Sequence, residues 1–238
     1  MNRNLLEVKK VNAGYGFLQI LRDVSFNVLE GEFVALLGPN GSGKTTTLRT
    51  ITGLIRPTGG TINFEGQSIG GCKTNEITRR GISFISEDSN LFLAMSVHEN
   101  LLLGAHSTGT KSQVAGWLES VFDLFPGLRD RRTQLAGTLS GGQRKMLGIG
   151  RGLMSKPRLL LVDEPSLGLA PNLIPQVFAA LRSLNQSGLA ILLVEQNVKT
   201  TLQIAKRGYV LEQGYIALQG ASTDLLETAY VQKSYLGK

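Results

Sequence analysis

The chain has 238 residues, 42% of them hydrophobic and 18% charged, with a net charge of +7. That length is enough to bury a sizeable core, either as one large domain or as a core with an inserted subdomain. No apolar run approaches the roughly 18–20 residues of a membrane helix, residues 1–10 lack the apolar centre of a signal peptide, and the single Cys72 excludes an internal disulfide or a cysteine metal cluster. The chain is therefore expected in the cytosol, with any transport path in another polypeptide. Its basic residues are scattered. Even the densest group, Arg129, Arg131 and Arg132, reads as a solvated helix end, so a nearby anionic lipid surface fits better than nucleic acid.

Short alternating strands are expected at Leu5 to Lys10, Val24 to Val28 and Thr61 to Phe64, with turns at Gly14, Glu30-Gly31 and Glu65-Gly66. They suggest an antiparallel sheet beside the buried strand Phe33 to Leu37. That strand runs into Gly38-Pro39-Asn40-Gly41-Ser42-Gly43-Lys44-Thr45, the pattern G-x-x-x-x-G-K-[ST], and Thr46 to Ile51 begins a helix. Glycines let backbone N–H groups wrap a phosphate, and the helix N-terminus adds positive potential. Lys44 would reach the β- and γ-phosphates of ATP, and the Thr45 hydroxyl would ligate Mg²⁺, with Thr46 beside it. Without nucleotide, Lys44 is expected to be an exposed loop cation. A chance glycine-rich turn is the bland alternative, and the flanking strand and helix argue against it.

Gly81 to Ile85 reads as another strand. From about Leu91 to Gly137 strand character disappears. Asn100 to Leu103 and Val114 to Phe122 look helical, with Pro126-Gly127 as a break, which suggests a helical subdomain inserted into an α/β core. Leu139-Ser140-Gly141-Gly142-Gln143 then gives a helix start in which Ser140 caps and Gln143 completes a capping box. Met146, Ile149 and Leu153 mark its buried face, and the helix stops at Lys156-Pro157. Its two glycines make a second anion site that the first loop does not need for its own nucleotide.

Arg158 to Val162 is an apolar run suited to a strand buried on both faces, ending in Asp163-Glu164-Pro165. Ligands of open α/β sheets bind at that end of a strand. Asp163 suits a water-mediated Mg²⁺ contact and Glu164 suits general-base activation of a water. Leu189 to Glu195 is a further strand, Tyr209 to Leu218 a hairpin around Glu212-Gln213-Gly214, and Ser222 is expected to cap a final helix.

These three motifs, in this order, resemble the Walker A, signature and Walker B elements of ABC transporter ATP-binding subunits, over essentially the whole chain. Gly148 to Pro157, Asp163 to Pro171, Val194-Glu195-Gln196-Asn197 and the ending Tyr230 to Gly237 look like one branch, the shorter LivF-like ATPase of branched-chain amino acid importers. The resemblance implies a RecA-like P-loop core, with an antiparallel β part, over 1–86 and 158–220. It also implies a helical subdomain over 87–157 and a C-terminal helix over 221–238. The implied partners are a second ATPase subunit, identical or not, two membrane permeases and, indirectly, a periplasmic solute-binding protein, with the chain peripheral on the cytoplasmic face of the inner membrane. In such a dimer each ATP lies between Lys44 of one chain and Ser140, Gly141, Gly142 and Gln143 of the other. Related importers of urea, amides or other organic solutes stay open, as does a non-transport cytosolic ABC ATPase.

The resemblance assigns three further positions. Tyr15, in Gly14-Tyr15-Gly16, falls where an aromatic stacks on adenine. Glu87 stands where most of the family has a glutamine that contacts Mg²⁺ and senses the membrane partner, although Ser86, Asp88 and Ser89 around it depart from the branch pattern. Gln196 replaces a histidine that contacts the γ-phosphate. A neutral amide still donates there, and neither His98 nor His106 takes the role by alignment. Ala170 stands where an aspartate makes contacts across the dimer, so those contacts are expected to be missing.

Overall fold

The computed structural model describes residues 3–106 and 109–235. Its first layer is antiparallel. β1 (Asn4–Tyr15) and β2 (Leu18–Leu29) form a hairpin that runs well past the expected spans, with Gly14 inside β1 and the turn at Gly16-Phe17. Register shifts between Val8 and Gly14 break the pleat, so alternation fades in the sequence while pairing continues. After β3 (Phe33–Leu37) and the loop at 38–43 comes α1 (Lys44–Ile51), which starts before the expected Thr46. β4 (Gly59–Phe64) pairs with β1, and β5 (Gln67–Ser68) follows a turn with positive φ at both Glu65 and Gly66. The sheet order is β2-β1-β4-β5.

The helical part follows α2 (Thr74–Arg79) and β6 (Ile82–Ile85). It comprises α3 (Val97–Gly104), α4 (Lys111–Leu124), α5 (Pro126–Arg129) and α6 (Gly141–Leu153). Capping boxes start α3, α4 and α6 at Ser96, Thr110 and Ser140. The buried face of α6 includes the expected Met146, Ile149 and Leu153, all packed against the core on the helical side of the sheet. Only Ile149 of these is fully buried, together with Leu147, Gly148 and Gly150. Its glycines sit against Ser89, Leu101 and Val121, so close backbone approach adds to the large apolar residues that periodicity looks for.

The chain then returns to the core with β7 (Leu159–Asp163), α7 (Ile174–Gln186), β8 (Ala190–Glu195) and α8 (Val198–Leu202). β9 (Arg207–Glu212) and β10 (Tyr215–Ala221) make the expected hairpin, with positive φ at Gln213 and Gly214. The order β10-β9-β3-β8-β7-β6 is parallel apart from this hairpin. Its central strands are buried on both faces. In β3, Phe33, Ala35 and Leu37 pack toward the helices, while Val34 and Leu36 pack toward α1 and the antiparallel sheet. Arg207 grips Glu32 with two bonds of 2.9 Å and also reaches Asn27, tying the two sheets together.

Two short helices, α9 (Ser222–Glu227) and α10 (Ala229–Tyr235), stand where one C-terminal helix was expected. Ser222 is not the cap. Ala221 holds that position as β10 runs straight into α9, and the Ser222 hydroxyl is buried without a partner among the described residues. Leu236, Gly237 and Lys238 lie outside the described residues. Among the described residues no helix is long and apolar enough to cross a membrane.

Candidate active site

The sheet order places the site. β8 lies between β3 and β7, so the residues that follow these three strands line up along one edge, Gly38 onward, Gln196, and Glu164. The loop after β3 needs its glycines. A Cβ on Gly38 would lie 2.1 Å from the Leu211 carbonyl oxygen, and Gly43 holds φ +108° as the N-cap of α1. The Gly214 N–H donates to the Ser42 carbonyl (3.0 Å), bracing the loop from the β9–β10 turn.

What the loop leaves unsatisfied says what it can bind. The N–H groups of Lys44, Thr45 and Thr46 in the first turn find no acceptor among the described residues, whereas that of Thr47 reaches Gly43 O at 2.8 Å. The Ser42 hydroxyl is buried and also lacks a partner. Free donors at a helix N-terminus, beside a lysine, fit a phosphate chain. They face a cleft of about 420 Å³. Asn40, Gly41, Gly43, Lys44, Thr45, Thr46, Glu87, Glu164 and Gln196 all line it, with Ile20 and Leu167.

Lys44 is not the exposed cation expected. Its side chain is 4% exposed, and its ammonium lies 3.2 Å from Glu164 Oε1 while donating to the carbonyls of Gly38 (2.9 Å) and Pro39 (3.1 Å). Glu164 sits at φ +42°, a conformation that costs a non-glycine residue roughly 1–3 kcal/mol. It is held there by its N–H bond to Val194 O, by Lys44 on Oε1 and by Gln196 on Oε2. The Gln196 amide nitrogen donates both to Glu164 (2.7 Å) and to Asn40 Oδ1 (2.5 Å), bridging the first loop to the end of β7. Glu195 was missed as a site residue. It is 2% exposed and accepts the N–H groups of Ser166 (2.9 Å) and Gln196 (3.2 Å). Its one sequence signal was a carboxylate closing an apolar run.

Thr45 and Asp163 form a second pair. The Thr45 hydroxyl donates to Asp163 Oδ1 at 3.2 Å. Among the described residues no cluster of three or more His, Cys, Asp or Glu could hold a metal alone. A hydroxyl, a carboxylate and the cleft-facing Glu87 fit Mg²⁺, which takes its remaining ligands from phosphate and water. Burial raises the Asp163 carboxyl from 3.8 to about 6. The Thr45 hydroxyl bond opposes that shift, and the charges of Glu164 and Glu87 add to it. Between roughly pH 4 and 6 the folded chain therefore keeps a proton that the unfolded chain has lost, so this group's contribution to stability falls as pH rises through about 6. In metal-free buffer Asp163→Asn is expected to flatten the decline in melting temperature over that range. Identical pH slopes for both proteins would refute the raised carboxyl.

Two expected groups stand apart from the cleft. Tyr15 is half-exposed at the end of β1, where its hydroxyl accepts from Arg49 of α1 (3.2 Å), and it does not line the cleft. Ser140, Gly142 and Gln143 line a different depression, with Met146, Leu173 and Gln176. Ser140 Oγ accepts the Gln143 N–H there (3.3 Å), and the N–H groups of Gly141 and Gly142 have no acceptor among the described residues. A single chain therefore presents two helix N-termini with free N–H groups, in separate depressions.

Comparisons with known proteins give the family and the fold. A family model described as ABC transporter matches residues 21–167. The chain is 43% identical over 233 residues to the high-affinity branched-chain amino acid transport ATP-binding protein BraG of Pseudomonas aeruginosa, covering 98% of this chain and all of that one. It is 32% identical to the lipopolysaccharide export system ATP-binding protein LptB of Escherichia coli K12, covering 98% and 97%. A crystal structure of the ADP conformation of MJ1267, an ATP-binding cassette of an ABC transporter, superposes with a TM-score of 0.87 at 27% identity, covering 99% of this chain and all of that one.

Proposed function

This chain belongs to the ABC transporter family of ATP-hydrolysing, nucleotide-binding subunits, and on that premise we propose that it powers an importer of branched-chain or related amino acids. The observation that carries the substrate class is its 43% identity to BraG over nearly the full length of both chains, against 32% to the export subunit. Its partners in this reading are a second ATPase subunit and two permeases, served by a solute-binding protein. Its place is the cytoplasmic face of the inner membrane.

The residues then divide the work. Phosphates enter the loop and meet the free amides of Lys44, Thr45 and Thr46 and the Ser42 hydroxyl. Lys44 turns from Glu164 toward the phosphates, which releases Glu164 Oε1 to accept a proton from the attacking water. Thr45 and Glu87, with Asp163 through a water, would hold Mg²⁺, which would supply charge neutralisation at the transferred phosphoryl group. Tyr15 offers its ring to adenine. The free N–H groups of Gly141 and Gly142 of a second subunit, beside its Ser140, complete the site from the opposite side, which fits the two separated helix N-termini. Opening and closing of that dimer drives the permeases.

Labelled leucine uptake tests the assignment. In cells carrying Lys44→Ala at the native locus, uptake of leucine, isoleucine and valine should fall to background. Unchanged uptake of these, with loss of urea or amide uptake, would move the chain to the other importer class. Gln196 gives a second test. Because its amide touches Glu164 directly, Gln196→Ala is expected to slow single-turnover hydrolysis about 10- to 100-fold while ATP affinity changes little. Equal loss of rate and affinity would make Gln196 a ground-state binding group instead.

A further inference from the structure

Among the described residues, Glu195 is the one buried carboxylate at this edge of the sheet that the hydrolysis scheme leaves unused. It ends β8, whose residues are all buried, and no ion pair to it is found among the described residues. A carboxylate sealed away without a counter-charge is costly unless hydrogen bonds hold it. Its two oxygens are divided between two segments. Oε1 takes the N–H of Ser166, two residues beyond Glu164, and Oε2 takes the N–H of Gln196. Gln196 in turn donates its side-chain amide to Glu164 Oε2. Both segments that aim Glu164 are thus pinned to one side chain that does not itself bond to Glu164.

We propose that Glu195 is a positioning residue for hydrolysis, a buried carboxylate that locks the backbone at Ser166 and Gln196 so that Glu164 keeps its aim. The inference rests on Glu164 being the base. An apolar residue at 195 would leave two N–H groups without acceptors. A glutamine would keep the shape and one acceptor, but would turn an NH₂ donor toward the second N–H. Either change loosens the turn that holds Glu164 in its left-handed conformation. Little change in ATP affinity follows, because neither Ser166 nor Glu195 lines the cleft.

The test uses the full chain as Glu195→Gln, Glu195→Ala and Glu195→Asp, with Glu164→Gln in parallel. Three quantities are measured: ATP affinity at equilibrium, hydrolysis in a single turnover with protein in excess, and melting temperature. Glu195→Gln should lower the rate about 10- to 100-fold, the scale set by small misplacements of a catalytic group, with ATP affinity held within about threefold. Glu195→Asp, which keeps the charge and both acceptor oxygens, should recover part of the rate lost in Glu195→Ala. A merely structural role would lower the melting temperature and leave the rate per folded molecule intact, and that result overturns the proposal. Should Glu195→Gln fail to fold, Glu195→Ala and Glu195→Asp decide, since equal rates per folded molecule in those two overturn the proposal. A normal rate in Glu164→Gln removes the base reading and this inference with it. Loss of rate in Glu164→Gln with none in Glu195→Gln removes the inference alone.

Discussion

Glu164→Gln is expected to slow ATP hydrolysis by about 10²–10⁴-fold and to leave ATP bound. The substitution keeps length and volume, and its amide oxygen can still accept from Gln196, which now donates to Glu164 Oε2 at 2.7 Å. What disappears is an oxygen able to take a proton. A site that binds ATP between two subunits and cannot discharge it should stay closed. Size-exclusion chromatography with ATP and Mg²⁺ should then show more dimer for the variant than for the unmodified chain. Normal turnover with no added dimer would take Glu164 out of the role of base.

Lys44→Ala should abolish productive ATP use and, in addition, weaken the protein without nucleotide. The second effect follows from burial. Lys44 and Glu164 form an ion pair with side-chain exposures of only 4% and 9%. Removing one partner of such a pair strands the other charge, at a cost of about 3 kcal/mol or more. Melting temperatures of Lys44→Ala, Glu164→Gln and the double variant form a cycle. The double variant should be less destabilised than the sum of the two singles. Additive losses would mean that the ion pair contributes nothing, and hydrolysis by Lys44→Ala at the normal rate would refute the phosphate-binding role.

Much of this edge of the sheet was legible because its motifs are local. The spacing of Gly38, Gly43, Lys44 and Thr45 reports a backbone shape, and the run into Asp163 reports a buried strand. The capping box at Ser140 is likewise contained within a few residues. Contacts between distant segments were not legible. Nothing near Lys44 announces that Glu164 will come within 3.2 Å of it, or that Gln196 will bridge Asn40 to Glu164. Those pairs exist because β8 is threaded between β3 and β7, and no window along the chain contains that ordering. Periodicity found the apolar face of α6 but not the close packing of its glycines, and capping residues misled at Ser222, where a strand passes into a helix without a side-chain cap. The lengths of β1 and β2 were hidden by their own register shifts.

The position of β3 also sets a timetable for synthesis. This strand carries the phosphate loop, yet its two neighbours are β8 and β9, where Phe33 meets Ile191 and Val34 meets Arg207. A growing polypeptide can close the β1–β2 hairpin early, since its partners are adjacent. β3 must wait with both hydrogen-bonding edges open until the last third of the chain has left the ribosome. Such distant pairings fold slowly and leave apolar strand edges exposed meanwhile. The nucleotide therefore has no folded loop to bind during most of translation. It acts as a ligand of the finished domain and cannot serve as a template for folding its first half.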